Sequence, residues 1–340
     1  MKRIMTGLLC VVSALALAAE HRDITFLSTS DSHHREPDHK AGNHNAMNRA
    51  SIEEMNAITN VAWPEKIGGG HIGKPSGVVM LGDCIDDGDR KEGARCLSDE
   101  QYKLWLADFG LDGTDGQLKY PVFEGWGNHD GPPVGKEKSG FSFQDHLKKR
   151  NLIRKEKGLI SNVSSNGLHY SWDWGDVHFV QMNIYPADQQ RAGIHYSPVW
   201  HDPQGSLTFL KQDLADKVGT NGRPVVLLSH CGFDTDWWVK EDWAAAYEAA
   251  KTYNVVLYLY GHTGTGVLQW APSGEPKKWD AINDGHTDAG FFVVQITDNR
   301  LRAAYRTKAG LKVTKKPDGK TVMDWDGQWE WKFLLDRKLH

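Results

Sequence analysis

Short apolar runs recur along the chain at 24–27, 78–81, 122–123, 177–182, 225–228, 255–260 and 291–296. Each is too short for a helix and rich in Val, Ile, Leu, Phe or Tyr, so each predicts a buried strand. Between them the pattern lengthens to helical spacing. The segment 98–110 opens on Ser98 with Gln101 three residues on, a capping-box signature, and ends at Gly110. The segment 205–219 keeps Leu207, Leu210 and Leu214 on one face, and 241–253 does the same with Trp243, Tyr247 and Ala250. Two stretches alternate instead. The run 168–183 turns at Trp174-Gly175-Asp176 and 290–307 turns at Asp298-Asn299, so both predict antiparallel hairpins. Near the end Trp329, Trp331 and Phe333 fall on one side of a further strand. Strands alternating with helices, together with hairpins, predict an α/β fold with mixed sheets.

The first residues stand apart. Lys2 and Arg3 precede an apolar run from Ile4 that ends in Ala16-Leu17-Ala18-Ala19. The run is shorter than the ~20 residues of a membrane span, so 1–19 reads as a secretory signal peptide and the protein as exported, periplasmic or extracellular. The rest, 20–340, is expected to form a single domain carrying a Trp-rich strand extension from about residue 311. A formal net charge of −4 is nearly balanced and points to neither a nucleic-acid polymer nor a membrane surface as partner. With Cys10 removed, an oxidising compartment permits a Cys84–Cys96 bridge, and three unpaired thiols fit the sequence equally well. Core packing accounts for most of the fourteen tryptophans. Two polar segments, 35–45 and 185–205, are long for a compact domain and are expected to select the substrate.

The residues just beyond the apolar runs change the picture. After 24–27 comes Asp31-Ser32-His33, and after 78–81 comes Gly82-Asp83-Cys84-Ile85-Asp86. After 122–123 comes Gly127-Asn128-His129-Asp130; His230 comes after 225–228 and Gly261-His262 after 255–260. Singly, such clusters are ordinary turns and caps. In series, each at the carboxyl end of a strand, they converge on the sheet edge where α/β proteins bind ligands. Carboxylate, imidazole and amide oxygen suit Mn, Fe, Zn or Mg, and the imidazoles argue against calcium. Cys84 and Cys231 lack a Cys-x-x-Cys partner and read as packing residues or one half of a disulfide.

The series Asp31-x-His33, Gly82-Asp83-x-x-Asp86, Gly127-Asn128-His129-Asp130, His230, Gly261-His262 resembles the calcineurin-like metallophosphoesterase superfamily, over positions 24 to about 296. The resemblance implies a four-layered sandwich, two mixed β-sheets flanked by helices. It implies two divalent metal ions, Mn, Fe or Zn, with Asp31, His33 and Asp83 on the first and Asp83, Asn128, His230 and His262 on the second. His129 would be the general acid and Asp86 the carboxylate that orients it. The implied activity is hydrolysis of a small-molecule phosphate ester by a hydroxide bridging the metals. Departures from the family pattern refine this. The family continues Gly-His-x-His, but here Gly264 stands where the second histidine completes the first metal site, which is expected to be weak. His286 is the candidate substitute or a rim residue, ahead of His34, His195 and His201. Asp86 is followed by Asp87-Gly88 rather than Arg-Gly, which argues against a protein serine/threonine phosphatase. Purple acid phosphatases place a tyrosine where Asp86 stands, so that branch is disfavoured as well. Space at Gly264 favours phosphodiesters slightly over monoesters. A phosphate- or metal-binding protein without turnover is the alternative.

Overall fold

The computed structural model describes residues 21–36, 42–88, 97–131, 141–191, 202–233, 235, 238–317 and 320–339. The expected signal peptide, Cys10, Cys96, His195, His201 and the middles of both long polar segments lie outside these residues.

In chain order the elements begin β1 (Asp23–Thr29), α1 (His44–Ala57), β2 (Val78–Met80), α2 (Ser98–Phe109), β3 (Val122–Glu124), α3 (Phe143–Glu156) and β4 (Asn162–Val163). Then come β5 (Tyr170–Trp174), β6 (Val177–Gln181), α4 (Ser206–Asp213), β7 (Pro224–Leu228), α5 (Lys240–Ala250), β8 (Asn254–Tyr260) and β9 (Thr265–Trp270). The chain ends with β10 (Trp279–Asp284), β11 (Gly290–Thr297), β12 (Arg300–Lys308), β13 (Lys312–Lys315), β14 (Thr321–Asp324) and β15 (Trp329–Lys338). Two large mixed sheets result, ordered β15-β12-β11-β1-β2-β3 and β4-β5-β6-β7-β8-β10-β9, with β13-β14 as a small ribbon. β1, β2 and β3 are parallel, as are β6, β7, β8 and β10.

Aromatic residues join the sheets face to face. Phe26 of β1 packs on Trp174 and Phe179, with ring centroids 5.5 and 5.2 Å away, and Phe123 of β3 packs on Trp172 at 4.5 Å. These rings are large enough to fill the ~10 Å between packed sheets. Helices cover the outer faces. α1 is tied to β12 by Glu54–Arg306 at 2.7 Å, and α3 to the end of β3 by Arg150 and Arg154 on the buried carboxylate of Glu124. On the second sheet, Asp213 at the end of α4 accepts from Ser171 of β5 and pairs with His178 of β6, both at 2.7 Å. α5 lays Tyr247 against Trp279 of β10 at 4.9 Å.

The structure departs from the expected elements in three places. α2 starts at Ser98 without a side-chain cap. Ser98 Oγ instead donates to the Asp87 carbonyl, and Gln101 Oε1 accepts the N–H groups of Asp86 and Asp87 at 3.1 and 2.9 Å. These two side chains hold the loop after β2. The helix 206–213 continues as a π turn over Leu214–Val218. Phe333 sits at a bulge where the register shifts between Ala303 and Tyr305, so it leaves the side shared by Trp329 and Trp331 and meets the Tyr305 ring. Cys84 and Cys231 are buried in the core, and Cys96, the possible bridge partner of Cys84, lies outside the described residues.

Candidate metal centre

Strands that end at the common sheet edge supply the site. The loop after β1 and the loop after β2 run alongside each other: Asp31 N–H donates to Gly82 O at 3.0 Å, His33 N–H to Asp83 O at 2.9 Å and His34 N–H to Cys84 O at 3.0 Å. The pairing holds Asp31, His33 and Asp83 at φ 51°, 38° and 51°, in the left-handed region that side chains avoid. After β6, Asn183 O accepts the His230 N–H at 2.5 Å; His230 O then accepts from Gly261 N–H at 2.9 Å. His262, at φ 73°, donates its N–H to Asp31 Oδ2 at 2.9 Å, which links the two sheets at the site.

Two glycines are required by close approach. A Cβ at Gly127 would overlap Asp83 Oδ1 and lie 2.7 Å from His230 Cε1. A Cβ at Gly261 would overlap Ser30 Oγ and lie 2.7 Å from Asp31 Oδ2. The glycines before Asn128 and His262 therefore let backbones approach the carboxylates.

Asp83 is the hub. Its Oδ2 lies 3.3 Å from His230 Nε2 and 3.7 Å from His33 Nε2, while Oδ1 accepts the His129 N–H at 2.8 Å. Asp31 Oδ1 is 3.6 Å from His33 Nε2, and Asn128 Oδ1 is 3.1 Å from His230 Nε2. His230 Nδ1 faces the Leu81 carbonyl at 3.0 Å, so that nitrogen carries a proton and leaves Nε2 directed at Asn128 Oδ1 and Asp83 Oδ2. Buried carboxylate and amide oxygens gathered around imidazole nitrogens draw positive charge to this point, either a proton on an imidazole or a metal cation. The donor set thus fits divalent metal ions. The electrostatics agree. Burial opposes charge on Asp83, yet His230, His129 and His33 outweigh it and lower its pKa to about 2. Burial likewise opposes a proton on His230, yet Asp83 and Asp31 raise its pKa to about 9. For His262, burial and then His230 lower the value to about 4, so this ring is neutral and ready to coordinate.

A family model described as calcineurin-like phosphoesterase matches residues 24–265, which include every one of these strand-end motifs. The chain belongs to the calcineurin-like phosphoesterase family. Among solved structures it is similar to GAP50, described as the anchor in the inner membrane complex of Plasmodium, at 11% identity and TM-score 0.47, covering 85% of this chain and 86% of that one. It is similar to TT1561 of Thermus thermophilus at 13% identity and TM-score 0.41, covering 80% and 93%. It is also similar to the NAD nucleotidase of Haemophilus influenzae at 13% identity and TM-score 0.38, covering 89% of this chain and 49% of that one. No match to a curated protein was found.

Around the hub of this phosphoesterase lie the other residues expected from the sequence. His129 sits beside Asp83, its ring edge-on to His33 at 4.6 Å, with its side chain 36% exposed and so within reach of a solvent-borne ligand. Its Nδ1 meets the backbone carbonyl of Asp86 at 3.0 Å, whereas the Asp86 carboxylate is 3.9 Å away. That carboxylate approaches His33 Nδ1 at 3.4 Å and Arg35 at 2.9 Å. Burial opposes its ionisation, but His33 and Arg35 hold its pKa far below the usual carboxylate range. His286 is exposed and stacks on His33 at 5.5 Å. His34 is buried against Asp108 at 2.9 Å, outside the cluster. Cys231 lies beside His230 and His262, with ligand atoms of the three within 4.8 Å of one another.

Sequence reading missed two residues. Arg35 brings a guanidinium to Asp86 from the loop after β1, although no arginine directly succeeds Asp86 in sequence. Its backbone is fixed by exchange of hydrogen bonds with Asn45. Asp130 accepts Ile85 N–H at 3.0 Å and Gly127 N–H at 2.8 Å, so it staples the loop after β3 to the loop after β2. Burial, then the Asp83 charge, raise its pKa well above the ordinary value. Its place in Gly127-Asn128-His129-Asp130 was the available signal; for Arg35 the signal was adjacency to Asp31-Ser32-His33-His34.

Proposed function

We propose that this exported phosphoesterase hydrolyses a small-molecule phosphate ester, with diesters slightly ahead of monoesters. The observation that carries the reading is the position of Asp83, whose one carboxylate oxygen lies within 3.7 Å of both His33 and His230. Asp31, His33 and Asp83 would hold one divalent ion, and Asp83, Asn128, His230 and His262 another, of Mn, Fe or Zn. When bound, the ions neutralise phosphoryl oxygens and supply a nucleophile at neutral pH by acidifying water. The chain's own residues do the rest. His129 donates a proton to the departing alkoxide as its P–O bond breaks, and the Asp86 carbonyl on Nδ1 sets the ring's orientation. Arg35 and Asp86 form the charged wall beside it. A Cβ at Gly264 would meet only Asn283 Nδ2, at 3.9 Å, and this opening supports the diester preference by giving room to a second ester group.

The test is hydrolysis of bis-p-nitrophenyl phosphate and of p-nitrophenyl phosphate, with Mn²⁺ and after chelation, beside Asp83→Asn. Metal-dependent turnover that disappears with Asp83→Asn is expected, the diester turning over faster. Gly264 favours a second reading, ligand binding without turnover. Folded, metal-loaded protein that hydrolyses neither ester would establish it.

A further inference from the structure

Gly264 and His286 flank two paired strands at the same end of the sheet. β9 and β10 pair antiparallel, with Asn283 opposite Gly266 and Asp284 opposite Thr265. The ladder ends there, so Gly264 immediately precedes β9 where Gly285 and His286 immediately follow β10. β10 is itself parallel to β8, so His286 comes after a strand end at the same sheet edge as Asp31, Asp83, Asn128, His230 and His262.

Its backbone is fixed to the metal-bearing loop. Ser30, the residue before Asp31, forms a β-bridge with His286, and its carbonyl accepts both the N–H and the Oγ1 of Thr287, at 2.9 and 2.8 Å. Ser51 Oγ donates to Thr287 O at 2.6 Å and His44 pairs with Asp288 at 2.9 Å, so the segment is held from α1 as well. The His286 ring lies nearly parallel to that of His33, 28° between planes and 5.5 Å between centroids. A merely exposed rim histidine would need none of this anchoring.

We propose that His286 completes the first metal site in place of the absent histidine at position 264, the ion being held by Asp31, His33, Asp83 and His286. This rests on the two-metal reading above. The family's ligand would thus have moved from the loop after β8 to the loop after β10, one strand over in the sheet.

Metal content tests the proposal independently of turnover. Chelator-stripped protein is titrated with Mn²⁺ by calorimetry, and bound Mn is counted after gel filtration. The variants are His286→Ala, His286→Gln and His286→Ala combined with Gly264→His, each checked by circular dichroism. The parent protein is expected to bind two ions. His286→Ala and His286→Gln should lose one, or bind it at least ~10-fold more weakly, since even outer-shell partners contribute ~10–100-fold. Gly264→His should restore the lost ion in the His286→Ala background, because the space there is open. Two ions bound unchanged without His286 would overturn the proposal and leave the phosphoesterase reading standing. Failure of Gly264→His to restore the ion would also overturn it, since the lost site would then not be the one position 264 borders. No binding by the parent would sink the two-metal reading, and the proposal with it.

Discussion

Asp31, His33, Asp83 and His262 all hang from left-handed backbone, at φ between 38° and 73°. Such conformations cost ~1–3 kcal/mol each and persist only where surroundings over-determine them. Here the paired loops after β1 and β2, and the His262 N–H on Asp31, do so. The candidate ligands are therefore fixed by main-chain bonds, which pre-organises the centre. His129 differs, for its side chain is more than a third exposed, tied through its N–H and Nδ1. Its proposed role is to give a proton to the leaving oxygen, so the effect of its loss should depend on how much that oxygen needs one. His129→Gln is expected to slow an alkyl phosphate by ~10²–10⁴-fold and a p-nitrophenyl ester by much less, since p-nitrophenolate departs unassisted. Comparing kcat for the two esters reads this out; equal slowing would remove His129 from that role. At this scale the motif residues were legible because each comes after an apolar run, where a bare turn would suffice. Arg35 and Asp130 were not, because their partners, Asp86 and the Ile85 and Gly127 N–H groups, come together only when the loops pair.

Among the elements, the apolar strands and the two alternating hairpins were readable, whereas β9 and β10 were not. β1, β2, β7, β8 and β11 bury nearly every position, so their composition announces them. β9 is half-buried along its length, without alternation. β10 carries Asp280, Asn283 and Asp284, and it buries Asp284 only because Ser28 Oγ of β1 donates to that carboxylate. No local pattern reveals such a partner. β12 hides a similar exception in Lys308, 2% exposed, its Nζ 2.5 Å from Ser51 Oγ of α1 and above the rings of Trp329 and Trp325 at 4.5 and 5.2 Å. Burial lowers its pKa to about 7, against the opposing pull of Asp288 and Glu54. Below about pH 7 Lys308 is charged in both folded and unfolded chains, and the folded state bears the full desolvation penalty. Between about 7 and 10.5 the unfolded chain holds a proton that the folded one does not, so stability rises with pH there. A gap of that size corresponds to at most roughly 5 kcal/mol, against about 2 kcal/mol from the aromatic rings, so the penalty wins. Lys308→Met keeps the shape and leaves Ser51 its bond to Thr287 O. The variant is expected to melt several degrees above the parent near pH 6, and the gain should vanish towards pH 10. A lower melting temperature at every pH would mean that the contact with the tryptophans dominates.

For the whole molecule, the consequential feature is that the site is divided between the sheets. Asp31, His33, Asp83 and Asn128 come after strands of the first sheet, whereas His230 and His262 come after β7 and β8 of the second. Aromatic packing holds the sheets through the middle of the sandwich, but at this edge the direct ties are polar. They include the His262 N–H on Asp31, His230 Nδ1 on the Leu81 carbonyl, and His230 Nε2 facing Asn128 and Asp83. The last of these sets acceptors against each other unless a positive charge intervenes. A divalent ion there would draw both sheets together and bind the folded chain alone, because unfolding scatters ligands that are far apart in sequence. Linkage then fixes the size of the effect: at a hundredfold excess over Kd the ion adds about 2.7 kcal/mol. At about 2–4 °C per kcal/mol for chains of 150–250 residues, and less for one of 340, that is roughly 5 °C in Tm. Chelation is expected to lower Tm by that amount, and added Mn²⁺ to raise it with the logarithm of its concentration. Asp83→Asn replaces with a neutral amide the carboxylate that faces His33 on one sheet and His230 on the other, so its Tm should no longer respond to Mn²⁺. A response that survives in Asp83→Asn would place the stabilising ion elsewhere than between the sheets.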